Sequence, residues 1–115
     1  MTADETLEYQ ALRRLAEGTV ASQRTLAELL GVSLGKANYV VRALVARGFV
    51  TIENVKGNPN RVGYVYLLTP SGITEKATLT RRFLRRKIEE YDQLQKEIDA
   101  LAQEAGVTDV RALAG

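Results

Sequence analysis

Residues 25–48 read TLAELLGVSLGKANYVVRALVARG, and this stretch decides the fold. It predicts two helices joined by a tight turn at residues 30–33. Gly31 suits the left-handed conformation that ends a helix, and Ser33 suits the N-cap of the second helix. Ala27 is small enough for the second helix to cross closely above the first. This combination, with apolar residues at fixed offsets, is typical of a helix-turn-helix that reads DNA.

The second helix has two unlike faces. Apolar residues three and four positions apart predict a buried side made of Ala37, Val40, Val41, Leu44 and Val45. The other side presents Gly35, Tyr39, Arg42 and Ala46, with Lys36 and Asn38 beside them. No acid occurs between Ser33 and Arg47, although a face that is only solvated usually carries glutamate. This acid-free face favours a DNA-reading helix over the alternative, an ordinary helical hairpin in a core.

The candidate DNA-binding residues on these two helices are polar or small. Small residues let a backbone approach a groove, and the polar ones can bond phosphates or base edges. Arg24 follows the predicted N-cap Ser22, where it would contact a phosphate or simply be solvated. On the second helix the candidates are Ser33, Leu34, Gly35, Lys36, Asn38, Tyr39 and Arg42.

A predicted β-hairpin follows Gly48, where the pattern changes to the alternation of strands. Residues 49–53 and 64–68 are the expected strands, and residues 54–63 between them are rich in turn formers. That loop holds two cations and no acid, so we interpret it as a wing that contacts DNA through Lys56, Asn58 and Arg61. The alternative is a surface hairpin whose Asn and Gly residues serve only its turn.

Helices are predicted on both sides of this region. Thr2 to Glu5 match a capping box, which predicts a support helix that Gly18 closes. Thr69 and Pro70 are typical of a helix start, and no strong breaker follows until Gly106. At about 1.5 Å per residue, 35 residues would extend over roughly 50 Å, so the far half needs a partner.

We interpret that far half as a dimerisation helix. Apolar residues close to coiled-coil spacing are the candidate dimer contacts: Leu84, Ile88, Tyr91, Leu94, Ile98 and Leu101. Folding back over its own domain is the alternative. Glu90, Glu97 and Glu104 recur every seven residues and would meet in a regular antiparallel pair, but the orientation stays open. A short capped helix is expected from Thr108 onward.

Five cations in residues 81–87 surround the middle of this helix. Some could reach phosphates that flank a DNA site, and others could pair with the acids that follow. Residues four apart on a helix are neighbours, so Arg85 is expected to pair with Glu89 and Arg86 with Glu90. For Arg81 and Arg82 both interpretations stay open.

The charges of the chain are segregated. The net charge is −2 for residues 1–18, +4 for 19–69, +5 for 70–87 and −5 for 88–115, although the whole chain carries only +2. Positive charge therefore lies where the helix-turn-helix lies, which suits a polyanionic partner. The first residues are acidic and the longest apolar run has five residues, so we expect neither a secretory signal nor a membrane span but a soluble cytoplasmic protein.

The composition also argues against catalysis. The 115 residues contain no Cys and no His, which removes the commonest nucleophilic, redox and metal-binding side chains. Residues 31–37 approach a P-loop, but one residue is missing between the glycines and Ala37 stands where Ser or Thr must hold magnesium. We therefore predict no enzyme, no cofactor and no metal site.

Longer stretches resemble the small MarR-type regulators associated with exopolysaccharide (EPS) gene clusters. The likeness covers residues 7–105 and is carried by SQRTLAELLGVSLGKANYVVRALVARGFV (22–50), NPNRVGYVYLLTP (58–70) and TRRFLRRK (80–87). The resemblance implies a homodimer that controls transcription on a pseudo-palindromic operator, with residues 33–42 in the major groove and 56–61 on the wing. The chain is short for a MarR protein, which leaves little room for the family's small-molecule effector site.

The prediction is therefore a mostly α protein with a small β-wing, divided into a winged helix-turn-helix domain (1–69) and a dimerisation region (70–115). We expect it to bind double-stranded DNA and a second copy of itself. The competing hypothesis is a winged-helix module that binds a protein partner and no DNA. The residues do not disclose the operator, the sign of regulation or the target genes.

Overall fold

The computed structural model describes residues 1–18, 20, 22–54 and 64–114. It contains α1 (Ala3–Ala16), α2 (Gln23–Leu30), α3 (Leu34–Ala46), β1 (Val50–Asn54), β2 (Tyr64–Leu68), α4 (Pro70–Ala105) and α5 (Val110–Ala114). The predicted class, mostly helical with a small β-wing, is confirmed. The chain divides into two compact units, Met1–Arg82 and Phe83–Gly115, with the boundary inside α4. The functional division at residues 69/70 stays a prediction.

The core of the first unit joins α1, α2, α3 and the hairpin. Its largest fully buried side chains are Leu12, Leu26, Leu44, Val41 and Val50. Thr2 caps α1 as predicted, since its hydroxyl accepts a hydrogen bond of 3.1 Å from the Glu5 backbone N–H. Burial of apolar side chains from each element against the others is the main force that holds the unit together.

Two expectations at the end of α3 were wrong. Val45 was assigned to the buried side, but its side chain is 36% exposed, since at about 100° per residue it lies at the edge of the arc of buried residues on α3. Phe49 was assigned to the first strand, but β1 begins at Val50. The Phe49 N–H instead returns to the Leu44 carbonyl oxygen at 2.9 Å, a helix-ending turn that passes through Gly48 with φ +77°.

The wing is a two-stranded antiparallel sheet. Val50 pairs with Leu68 and Ile52 with Tyr66. Paired residues share a face, and Val50 and Tyr66 are buried, so this face packs on the core. The alternate residues Thr51 and Leu67 are exposed, so inward and outward side chains alternate as predicted, except that Ile52 of the inward face is 44% exposed.

The start of α4 is fixed to the end of α3 by a short cluster of contacts. The Thr69 hydroxyl accepts from the Gly72 N–H at 3.0 Å, which makes Thr69 the predicted N-cap. The same hydroxyl donates to the Gly48 carbonyl oxygen, and the Thr69 N–H donates to the Phe49 carbonyl oxygen at 3.0 Å. Gly72 packs directly on Phe49, since a Cβ at position 72 would overlap the Phe49 carbonyl.

The second unit contains the rest of α4 and α5. Arg86 pairs with Glu90 at 3.2 Å as predicted, and Lys87 also reaches Glu90 at 3.0 Å. These cations, Lys87 first, hold the pKa of the Glu90 carboxyl below its ordinary value. The expected pair of Arg85 with Glu89 was wrong, because no ion pair joins them in the described chain.

The expectation for α5 also needs correction. Asp109, not Thr108, caps this helix, since its carboxylate accepts from the Ala112 N–H at 3.4 Å. The Leu113 side chain is 75% exposed within the single chain. An open and mainly apolar groove of about 530 Å³ lies between the end of α4 and α5 and is lined by Glu104 and by the apolar residues Ile98, Leu101, Ala102, Ala105, Val107, Val110 and Leu113.

Candidate nucleic-acid interface

The turn between α2 and α3 forms as the sequence predicts. Gly31 adopts φ +68°, and its N–H and that of Val32 bond to carbonyl oxygens of the last turn of α2. The Ser33 hydroxyl accepts from the Lys36 N–H at 3.1 Å and so begins α3. The two helices meet at a bend of 107°, within the range of helix-turn-helix motifs.

Burial of one side of α3 determines which side faces outward. Ala37, Val40, Val41 and Leu44 are buried, as predicted. The predicted outward residues are all exposed, and Tyr39 keeps 64% of its surface accessible. The exposed face contains Gly35, Tyr39, Arg42 and Ala46. Leu34 is also exposed, at the first position of the helix.

Arg42 of α3 and Arg24 of α2 are exposed cations. Neither makes an ion pair with any other residue that the structure describes. Arg24 lies in the first turn of α2, whose N-terminus Ser22 caps through a 3.1 Å bond from the Thr25 N–H. Both guanidinium groups are therefore available to an anionic ligand.

Lys36 differs from the other candidates because it has contacts within the protein. Its ammonium lies 3.7 Å from an Asp4 carboxylate oxygen of α1 and 4.9 Å from the centroid of the Tyr39 ring. The Asp4 side chain is 80% exposed and that of Lys36 is 41% exposed, so water screens this ion pair and a phosphate can compete for the lysine. Asn38, the other flanking candidate, is half-buried.

The wing candidates Lys56, Asn58 and Arg61 lie outside the described residues. The described strands bring the ends of their loop together, since Asn54 pairs with Tyr64 at the last step of the register. The hairpin follows α3 after only three residues, so the wing begins directly beside the end of the candidate reading helix.

Sequence reasoning missed the contacts that orient this motif. Arg47, which follows α3, makes a two-point ion pair with Glu8 of α1 through N–O distances of 3.1 and 2.8 Å. The Glu8 side chain is only 17% exposed, and the Arg47 guanidinium also lies over the Phe49 ring. Arg82, one of the open mid-helix cations, lies 3.6 Å from Glu5 of α1. These ion pairs join residues that are far apart in sequence, so no local sequence pattern predicts them.

The six candidate dimer residues are all accessible in the single chain, with 40 to 65% of their surface exposed. They are Leu84, Ile88, Tyr91, Leu94, Ile98 and Leu101. Apolar side chains in such a row are unusual on a surface that faces only water.

The described residues contain no group of three or more acidic side chains arranged to hold a metal ion. Among the described helices, none is by itself long and apolar enough to cross a membrane, and only the bent pair of α2 and α3 would meet that test together.

Comparison with known proteins supports the fold. Residues 7–51 match the family model described as winged helix-turn-helix DNA-binding. No curated protein matches the chain in sequence.

Several solved structures share the fold. The PcaV transcriptional regulator from Streptomyces coelicolor, solved with its natural ligand, superposes with a TM-score of 0.62 at 20% identity, over 95% of this chain and 77% of that one. A MepR variant from S. aureus bound to an oligodeoxyribonucleotide gives 0.60 at 15% identity, over 91% and 80%. MarR from Staphylococcus aureus, solved with salicylate and kanamycin, gives 0.53 at 19% identity, over 85% and 69%.

Proposed function

We propose that this chain is a MarR-type transcriptional regulator that binds double-stranded DNA as a homodimer and acts in the cytoplasm. The observation that carries the proposal is the acid-free exposed face of α3, within a stretch that matches a winged helix-turn-helix DNA-binding model. The chain would control transcription by steric blocking or by recruitment, and not by a chemical reaction. A neighbour with the same fold was solved with an oligodeoxyribonucleotide, which supports this function.

The residues have distinct roles in this proposal. Ser33, Leu34 and Gly35 let the start of α3 approach the major groove, where Asn38, Tyr39 and Arg42 read base edges or bond phosphates. Lys36 and Arg24 contact the backbone, and Lys56, Asn58 and Arg61 contact DNA from the wing. In a dimer, two reading helices would enter successive major grooves about 34 Å apart.

The homodimer is supported by the apolar row on the second half of α4, which a second copy would cover. The target genes are proposed from the resemblance to EPS-associated regulators, carried by the stretches at 58–70 and 80–87. No effector is proposed. The natural ligand of PcaV and the salicylate of MarR belong to those proteins.

The test is binding of the full chain to DNA from its own upstream region and to random DNA across a salt series. A DNA-binding regulator should prefer the upstream DNA, and log K should fall with log salt by about 0.9 per phosphate neutralised. Binding that is weak, unselective and flat in salt would contradict the proposal. It would favour the winged-helix module that binds a protein partner.

Fragments from exopolysaccharide gene clusters test the proposed targets separately. Selective binding to such a promoter would support the assignment, and selective binding only elsewhere would reject it while leaving the regulator intact.

A further inference from the structure

We infer that two copies of this chain pair antiparallel through α4, with their two-fold axis at Tyr91, and that the groove between α4 and α5 receives Phe83 and Leu84 of the second copy. This inference rests on the homodimer of the proposed function and adds its orientation, its register and a role for α5.

The first argument is the spacing of the exposed apolar residues. Leu84, Ile88, Tyr91, Leu94 and Ile98 are separated by four, three, three and four positions, so the row reads the same from either end. In an antiparallel pair centred on Tyr91, each residue meets the one equally far on the other side. Leu84 then lies opposite Ile98 of the second copy, and Ile88 lies opposite Leu94.

The second argument is charge. Helical positions advance by about 100° per residue, so Arg85 and Asp99 lie on one flank of the apolar row and Glu97 lies on the other. Lys87, seven residues before Leu94, lies at the edge of the row on the side of Glu97. In an antiparallel pair related by a two-fold axis, each flank of one helix lies beside the same flank of the second copy. Arg85 then faces Asp99 of the second copy, and Lys87 faces Glu97, with offsets of only two residues along the axis.

A parallel pair would have the opposite electrostatics. In a parallel pair, each flank of one helix lies beside the opposite flank of the second copy, at the same height along the axis. Arg85 would therefore meet Lys87 of the second copy, and Asp99 would meet Glu97. Cations would then face cations, and acids would face acids. Facing charges of one sign are destabilising, so the pattern favours the antiparallel pair.

This register also separates the acids that recur every seven residues. With the axis at Tyr91, Glu97 lies near the level of Lys87 of the second copy rather than that of Glu90. Glu90 and Asp92 both lie close to the axis, and Glu90 is already paired with its own Lys87 and Arg86 at 3.0 and 3.2 Å. The local ion pairs therefore reduce the repulsion that remains at the centre.

The groove beside α5 explains where the ends of the row would pack. It includes Ile98, which would lie level with Leu84 of the second copy, and Leu101, which would lie within two residues of the level of Phe83 of the second copy. The groove holds about 530 Å³ and is lined mainly by apolar side chains, so it can accept an aromatic ring and a leucine. Val110 and Leu113 of α5 would form its outer wall.

Single cysteines give a direct test, because the chain contains none of its own. Full-length Leu84→Cys, Tyr91→Cys and Ile98→Cys would be treated with a short bismaleimide, alone and as co-expressed pairs with different tags. Gln10→Cys, an exposed site on α1, reports random linking. In the antiparallel pair Leu84 lies about 21 Å from its own counterpart, at 1.5 Å per residue, beyond the reach of the reagent.

The expected result is that Tyr91→Cys links to itself, while Leu84→Cys and Ile98→Cys link to each other and not to themselves. Phe83→Cys with Leu101→Cys is a second pair that should link only when mixed. Self-linking of Leu84→Cys and of Ile98→Cys would establish a parallel pair and overturn the inference.

Sedimentation and DNA binding of the same preparations separate the other outcomes. A dimer in sedimentation with no link above the Gln10→Cys background would mean that copies meet through another surface, which overturns the inference but not the homodimer. A monomer at every concentration would overturn both. Selective DNA binding by that monomer would still preserve the DNA-binding regulator.

Discussion

The Thr69 hydroxyl donates a hydrogen bond of 2.6 Å to the carbonyl oxygen of Gly48, 21 residues earlier in the chain. Ser71 donates to the same oxygen at 3.0 Å, and the Thr69 hydroxyl also caps α4 by accepting from the Gly72 N–H. One residue therefore ties the end of the candidate reading helix to the start of the long helix. The hairpin that forms the wing begins and ends at this tie.

Replacing Gly72 with alanine should destabilise the protein. The added Cβ would overlap the Phe49 carbonyl, and backbone on both sides leaves it little room to move. We expect a loss of about 1–3 kcal/mol in the free energy of unfolding, the usual cost of overpacking, measured by urea denaturation. Gly35→Ala is the matched control, because its Cβ would meet only the Ser33 hydroxyl at 4.0 Å. That variant should be as stable as the wild type or more so.

Replacing Thr69 with valine should also destabilise the protein while leaving the volume of the side chain nearly unchanged. The variant loses the helix cap and one donor to Gly48, which together should cost about 1–2 kcal/mol in thermal or urea unfolding. Thr69→Ser keeps the hydroxyl and should recover most of that loss. Equal stability of the valine and serine variants would show that the hydroxyl contacts contribute little.

The ion pair of Glu8 with Arg47 should contribute measurably to stability. Its two-point geometry and the low exposure of Glu8 predict a coupling of about 0.5–1 kcal/mol in a double-mutant cycle of Glu8→Gln and Arg47→Gln. The accessible pair of Asp4 with Lys36, tested by Asp4→Asn and Lys36→Gln, should show a smaller coupling. A coupling near zero for Glu8 with Arg47 would mean that the pair is screened like an ordinary surface pair.

Removing Arg42 should weaken DNA binding without unfolding the protein, because its side chain is exposed on α3. Arg42→Ala is expected to lose about 1–3 kcal/mol for specific DNA if the guanidinium pairs with a base. Arg13→Ala, an equal change of charge on α1, should have little effect. A loss that is equal for specific and random DNA would assign Arg42 to a phosphate instead.

Removing Asp4 should strengthen DNA binding. Asp4→Asn frees Lys36 from its carboxylate partner and removes a negative charge beside the candidate DNA-binding face. A surface pair of this kind contributes about 0.2–1 kcal/mol, so affinity should rise by up to about fivefold at low salt and less at high salt. Unchanged affinity, with Lys36→Ala as the comparison, would indicate that Lys36 does not reach DNA.

Local signals allowed most of the fold to be predicted. The caps at Thr2, Ser22, Ser33 and Thr69 depend on residues three positions away, and the left-handed turn at Gly31 depends on one residue. Such features are decided by the neighbouring sequence, so the starts of α1, α2, α3 and α4 and the helix-turn-helix followed directly. The exposed face of α3 was also predictable, because the helical period alone assigns its residues to sides.

Features decided by tertiary packing could not be predicted in the same way. Whether Val45 is buried depends on how far the core extends beyond Leu44, and the preceding sequence does not disclose this. The contacts of Arg47 with Glu8 and of Lys36 with Asp4 join α1 to the region of α3. The sequence alone allows many pairings of cations with acids and does not select these two. Asp109 caps α5 in place of Thr108, because α5 begins one residue later than expected.

The tie between Thr69 and Gly48 has a consequence for how such a protein can diversify. The residues that hold the base of the hairpin are separate in sequence from residues 55–63, which connect its two strands. Changes of length or charge in that connection therefore leave the contacts of Thr69 with Gly48 untouched. Under the proposed function, exchanging that connection is the way to alter which DNA is preferred without disturbing the start of α4.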